Sequence, residues 1–146
     1  MNSATLMDIH RIAIGYAVND ESSLSDTIRD EGTLDYIASR AEDIDDPTER
    51  AAWLLWSVST MHPFMEGNKR TAVLACECAL GSKGLDVDNR EDALNALIRI
   101  IASGSDIEDV RRFLEENTAP LDPSQPLDDI GLRAERISTL LLELSR

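Results

Sequence analysis

The chain has 146 residues, 42% hydrophobic and 29% charged, enough to bury roughly 68–70% of its unfolded surface in one domain without disulfide staples. Acids outnumber bases 28 to 14, a formal charge of −14, which argues against nucleic acid or an anionic membrane as a direct partner because both reward clustered Lys and Arg. No apolar run approaches the ~20 residues of a membrane span, and Met1 to Asp8 shows no basic segment ahead of an apolar one, so a soluble, cytoplasmic protein is expected.

The pattern is helical almost throughout, and no stretch alternates long enough to predict a sheet. Residues 4–17 place Leu6, Ile9, Ile12, Ala13, Tyr16 and Ala17 at helical spacing. His10, on that helix, reads as a packing or surface residue. Residues 18–32 are polar and turn-rich and suit a loop or short hairpin flap. Residues 33–43 are again helical, with Leu34, Ile37 and Ala38 on one face. Asp46-Pro47-Thr48-Glu49 joins an acidic N-cap, Pro at the first helical position and an acid three residues after the cap, a strong helix start. The helix it opens runs to about Met61 and is apolar on most sides, so it belongs at the centre of the core. From Asp20 to Arg50 there are eleven acids against three bases, which reads as a solvated acidic face.

A second apolar helix is predicted from Asn68 to Leu80, with C-cap chemistry from Gly81 and Gly84. Cys76 and Cys78 lie on it two residues apart, about 200° around the helix, and cannot share a metal. Small buried hydrophobes are the expected role. Asn89 is expected to cap a helix through about Ala102. Ser105-Asp-Ile-Glu108 reads as a capping box for another, ending near Asn117. Pro120, Pro123 and Pro126 suggest an extended linker before a last helix, about 128–145, that packs on the domain, on a second copy or on a partner. The expected division is a domain over 1–118 and a linker with C-terminal helix over 119–146.

The informative run is His62-Pro-Phe-Met-Glu-Gly-Asn-Lys-Arg-Thr71, between the two central helices. Lys69 is one of only two lysines in the chain. The second helix opens at Gly67-Asn68, and a helix N-terminus presents unpaired N–H groups and a partial positive charge to an anion. Gly67 lets backbone approach a ligand closely. Lys69 and Arg70 add full charges, and arginine holds phosphate bidentately. Glu66 beside such a cradle would repel a phosphate unless a cation lay between, and Mg²⁺ takes one or two carboxylates plus phosphate oxygens. His62 supplies an imidazole able to take a proton from an attacking hydroxyl. Phe64 is expected to anchor the loop in the core. A base, a metal carboxylate and a phosphate cradle are the parts of a nucleotide-using transferase.

This run resembles the signature of the Fic/Doc (Fido) superfamily, His-x-Phe-x-Asp/Glu-Gly-Asn-x-Arg, at His62, Phe64, Glu66, Gly67, Asn68 and Arg70. Ile9-His10, Ile28 to Leu34 and Ala51-Ala52 are similar to the death-on-curing (Doc) branch, and the likeness covers about residues 4–117. The resemblance implies an all-α bundle around a central motif helix, with a short flap and a C-terminal helical extension. It implies ATP and Mg²⁺, with His62 as general base, Glu66 positioning Mg²⁺, and Gly67, Asn68, Lys69 and Arg70 holding phosphates. Most Fic members transfer AMP to a protein hydroxyl; their motif has Gly where Lys69 stands and a second Arg where Val73 stands. Both departures point to the Doc branch. That branch implies a toxin of a toxin–antitoxin system that phosphorylates a translation elongation factor, elongation factor Tu, under restraint by a Phd-like antitoxin. Protein AMPylation and a non-catalytic module that binds nucleotide or antitoxin are the alternatives. Thr27-x-x-x-Glu31-Gly32 resembles the family's inhibitory string, but in a stretch like an ordinary Doc loop. Thr139-x-x-x-Glu143 lacks the final Gly or Asn.

Overall fold

The computed structural model describes residues 1–15, 28–87, 96–97, 99–100, 102–121, 132–135, 137 and 139. Helix α1 spans Ser3–Gly15, α2 Glu31–Asp43, α3 Pro47–Met61 and α4 Asn68–Gly81. A short strand β1, Leu85–Val87, follows, then α5, Ile107–Asn117, and β2, Thr118–Pro120. Residues 96, 97, 99, 100 and 102 are helical, as are 132–135, 137 and 139. Among the described residues the architecture is all-α apart from one two-stranded antiparallel sheet, in which Leu85 faces Pro120 and Val87 faces Thr118.

Local chemistry accounts for most helix starts. Asp46 accepts from the Glu49 amide at 2.8 Å with Pro47 in the first turn, and α3 runs over the expected residues. Asp30 accepts from the Thr33 amide at 3.0 Å, so α2 opens two residues before the expected 33. That amide bond is the main reason the Asp30 carboxyl sits below its ordinary range. For α5 the cap is Asp106, accepting from the Asp109 amide, one residue later than the Ser105 box predicts. Gly81 ends α4 as a helical residue; Ser82 is the cap, and Gly84 takes the left-handed conformation in the turn. Tyr16 and Ala17 of the expected first helix, the 18–27 part of the expected flap, Asn89 as a cap, and most of the last helix lie outside the described residues.

The sheet is a correction to the expectation of no strands. Three-residue strands are too short to show alternation, and β2 occupies the head of the stretch expected to be a linker. The pairing continues into the turn, where the Leu121 amide donates to the Gly84 carbonyl at 2.8 Å.

α4 is the central rod. Ala72, Val73, Leu74, Ala75 and Cys76 are all fully buried on it, and it packs against α3, α1 and β1, while α3 also packs on α2 and α5. Cys76 is free and buried, and Cys78 is free and half-buried. Burial pushes the Cys78 thiol up to about 11 and raises the Cys76 thiol as well, so neither is a thiolate nucleophile at neutral pH. Ala134 and Ile137 join the same core from the C-terminal residues. Beside them Arg133 reaches between two elements: its Nη1 donates to Glu77 Oε2 on α4 at 3.0 Å, and its Nη2 to Asp86 Oδ2 on β1 at 2.9 Å. All three side chains are buried. Burial alone lowers the Arg133 pKa, but the bonds from Asp86 and Glu77 outweigh it and hold the guanidinium charged. No helix among the described residues is long and apolar enough to cross a membrane.

Candidate active site

The loop between α3 and α4 is built on two left-handed residues. His62 caps the C-terminus of α3 at φ 51°, ψ 61°, and among the described residues it alone has a positive φ without being glycine. Gly67 is the N-cap of α4 at φ 74°. A Cβ on Gly67 would stand 2.3 Å from Ile14 Cγ2 of α1, so glycine is required there both by the backbone and by the close approach of α1.

Between these residues the chain is stapled inward. Phe64 is 1% exposed. The Phe64 amide donates to Asn68 Oδ1 at 3.0 Å, and Asn68 Nδ2 donates back to the Phe64 carbonyl at 3.0 Å. The buried Asn68 side chain is thereby committed to the loop, and what it turns toward a ligand is backbone N–H. His10, fully buried on α1, stacks on Phe64 with centroids 3.9 Å apart and planes 9° from parallel. Its Nε2 lies 2.9 Å from the Glu66 carbonyl. A carbonyl only accepts, so Nε2 carries the proton, and Nδ1 is buried with no partner among the described residues. Burial, the largest influence, holds the His10 pKa below its ordinary value; the Glu66 bond opposes it and the charge of Arg70 reinforces it.

The polar groups this frame leaves outward are His62, Glu66 and Lys69, all exposed, with Arg70 half-buried beside them. Met65, 63% exposed, stands between His62 and Glu66 in the chain. No side chain caps α4. Its first backbone bond is from the Thr71 amide to the Gly67 carbonyl at 3.0 Å, which leaves the amides of Asn68, Lys69 and Arg70 ahead of it as donors for an anion. Burial lowers the Arg70 pKa, and the nearby Glu66 carboxylate opposes that fall. Val73, one turn further, is fully buried and puts no polar group in the cradle.

This arrangement offers an anion three backbone donors and two cationic side chains at one helix end, with an exposed imidazole and carboxylate alongside. The Fic/DOC family model matches residues 1–80, more than half of the chain. The chain belongs to the Fic/DOC family. The match takes in α1 to α3 and all of α4 but its last residue; β1, α5 and β2 lie beyond it. No curated protein matches the chain. Fic/DOC proteins are generally nucleotide-transferring enzymes and generally use ATP with Mg²⁺.

The donor set at this site suits that metal. Among the described residues no three His, Cys, Asp or Glu side chains gather as a metal cage. A single carboxylate, Glu66, beside a helix end open to anions would suit Mg²⁺, which is held by one or two carboxylates together with substrate phosphates. Two residues matter more than the sequence suggests. His10 holds the Glu66 backbone, and Arg29 donates to the carbonyls of Met61 at 2.8 Å and His62 at 2.5 Å. The signal for both was their place in stretches that resemble the Doc branch, Ile9-His10 and Ile28 to Leu34.

Proposed function

We propose that this Fic/DOC protein transfers the γ-phosphoryl group of ATP to a hydroxyl of a target protein, as a Doc-like toxin held in check by a Phd-like antitoxin. The observation that carries the reading is the cation set around the uncapped start of α4. Lys69 is exposed and Arg70 half-buried there, while the position at which AMP-transferring relatives place a second arginine is the buried Val73. A cradle with a cation added at its mouth and one missing a turn deeper favours a different phosphate next to the base.

In this reading His62 accepts the proton of the target hydroxyl as its oxygen attacks the γ phosphorus. The bond from that phosphorus to the β,γ-bridging oxygen breaks, and ADP leaves. The amides of Asn68, Lys69 and Arg70, with the two cationic side chains, hold the phosphate oxygens and stabilise the charge that builds on them. Glu66 would hold Mg²⁺, which when bound neutralises phosphate charge. Gly67 keeps the helix end bare, and Phe64, His10 and Asn68 hold the loop rigid, so little reorganisation remains when a nucleotide arrives.

The test is label transfer from ATP to purified elongation factor Tu. Label from the γ position is expected on the target, and none with His62→Ala at unchanged melting temperature. A positioned base contributes typically 10²–10⁴-fold, so an active His62→Ala protein overturns the role of His62. Label from the α position shows AMP transfer instead. No label from either position overturns this target and leaves a binding module as the reading to test.

A further inference from the structure

Three consecutive carbonyls at the end of α3 are all taken by one residue, which lies more than thirty positions earlier in the chain. Arg29 Nη2 donates to Met61 O at 2.8 Å and Nε to His62 O at 2.5 Å, while the Arg29 backbone amide donates to Pro63 O at 2.8 Å. The Asp30 amide shares Pro63 O at 3.2 Å, and Ile28 forms an isolated bridge with Phe64. The last carbonyls of a helix have no partner within it, and here they meet a guanidinium fork. Charge-assisted bonds of this kind are roughly twice as strong as neutral ones. The residue they bracket is His62, held in a left-handed conformation that is strained for a residue other than glycine.

We propose that Arg29 is a positioning residue for the transfer reaction. By fixing the peptide units on both sides of the His62 Cα, it sets the direction in which the imidazole leaves the backbone. In this role it acts through His62 and not on nucleotide or target. The inference rests on the reading of His62 as the base and deepens it. The phosphate cradle is held by other means, namely Asn68 on Phe64 and His10 on Glu66, so Arg29 acts on the base and leaves nucleotide binding alone. Arg29 is exposed, so its removal opens no cavity in the core. Lysine cannot replace it, because an ammonium lacks the planar fork that spans two carbonyls.

The chain contains two histidines, His10 and His62, so selective ¹⁵N labelling of imidazoles gives two ring systems, assigned with His62→Ala. In Arg29→Ala and Arg29→Lys the His62 ring signals are expected to shift and broaden, with a change in its side-chain couplings, while those of His10 stay in place. With labelled ATP and elongation factor Tu, kcat is expected to fall about 10–100-fold, the scale of a misplaced catalytic group, with KM for ATP unchanged. Unchanged His62 signals in Arg29→Ala overturn the proposal. So does movement of both histidines together, or a loss of kcat that tracks a loss of folded protein. If the wild-type chain transfers no label to elongation factor Tu, the proposed function has failed on that target, and the ring signals alone decide what Arg29 does.

Discussion

At the start of α4, Glu66 and Lys69 stand in solvent beside a helix end that no side chain caps. About two and a half turns later, Glu77 is 1% exposed and meets Arg133, which also holds Asp86. One end of the helix thus stands beside charges that face outward, and its later turns contribute to a set that has been taken out of water and paired. Exposed charges contribute little to folding and remain available to a ligand. Buried ones are committed to each other, and losing one member leaves the others desolvated. In the proposed reading the first region is where chemistry happens, while the second, with Ala134 and Ile137, ties the described residues 132–135 and 137 to the domain.

The sharpest way to break this division is Arg133→Met. It keeps apolar bulk but leaves two buried carboxylates without the guanidinium between them, at a cost of about 3–5 kcal/mol. For a chain of this size that is a fall of roughly 10 °C in melting temperature. Label transfer per folded molecule, measured well below the melt, is expected to stay at the wild-type rate. His62→Ala is the mirror experiment, with transfer lost and the melt unmoved. If Arg133→Met abolishes transfer while the protein remains folded, the two regions are coupled and the division fails.

Gly67→Ala tests the boundary between them. The left-handed backbone costs an alanine about 1–2 kcal/mol, and Ile14 must also give way from a 2.3 Å approach. Both stability and transfer are expected to drop, the melt by less than in Arg133→Met and transfer by more. Asn68→Ala strands the buried amide and carbonyl of Phe64, about 1–3 kcal/mol for each group left unsatisfied and less where water enters. Its diagnostic effect is a weaker ATP affinity by calorimetry, since the amides of α4 lose their fixed relation to the loop. An Asn68→Ala protein that binds ATP as the wild type does would show the staple to be irrelevant to the cradle.

What could be read from the chain, and what could not, follows from range. Asp46, Pro47 and Glu49 act within one turn of each other, so the start of α3 is written locally and was predicted to the residue. The motif loop is equally local, and its anchor Phe64 is buried as expected. Ser105 and Asp106 offer two competing caps side by side, and only the folded backbone chooses Asp106. The sheet pairs residue 85 with residue 120, and Arg133 meets partners 47 and 56 positions away. Nothing near an arginine in a charged tail announces that it will be buried. His10 is the same case at the site itself: its partners, Phe64 and Glu66, are brought to it only when α1 packs on α4.

His10 also gives the smallest and most specific of the expected effects. Burial first, with Arg70 assisting and the Glu66 bond opposing, sets its folded pKa below the ordinary 6.5. The unfolded chain therefore binds a proton on this ring at a pH where the folded chain does not. By linkage, stability from this group is complete above the ordinary histidine value and falls as the pH drops from there toward the folded value. Protonation would also place a charge on a buried Nδ1 that has no acceptor among the described residues. His10→Gln keeps a donor for the Glu66 carbonyl but removes the titration. Melting temperatures at about pH 7.5 and about pH 5 are expected to differ more for the wild type than for His10→Gln, with the carboxylates contributing equally to both. Parallel pH dependences in the two proteins would mean that the ring accepts its proton without strain, and that the motif loop does not need a neutral imidazole beneath it.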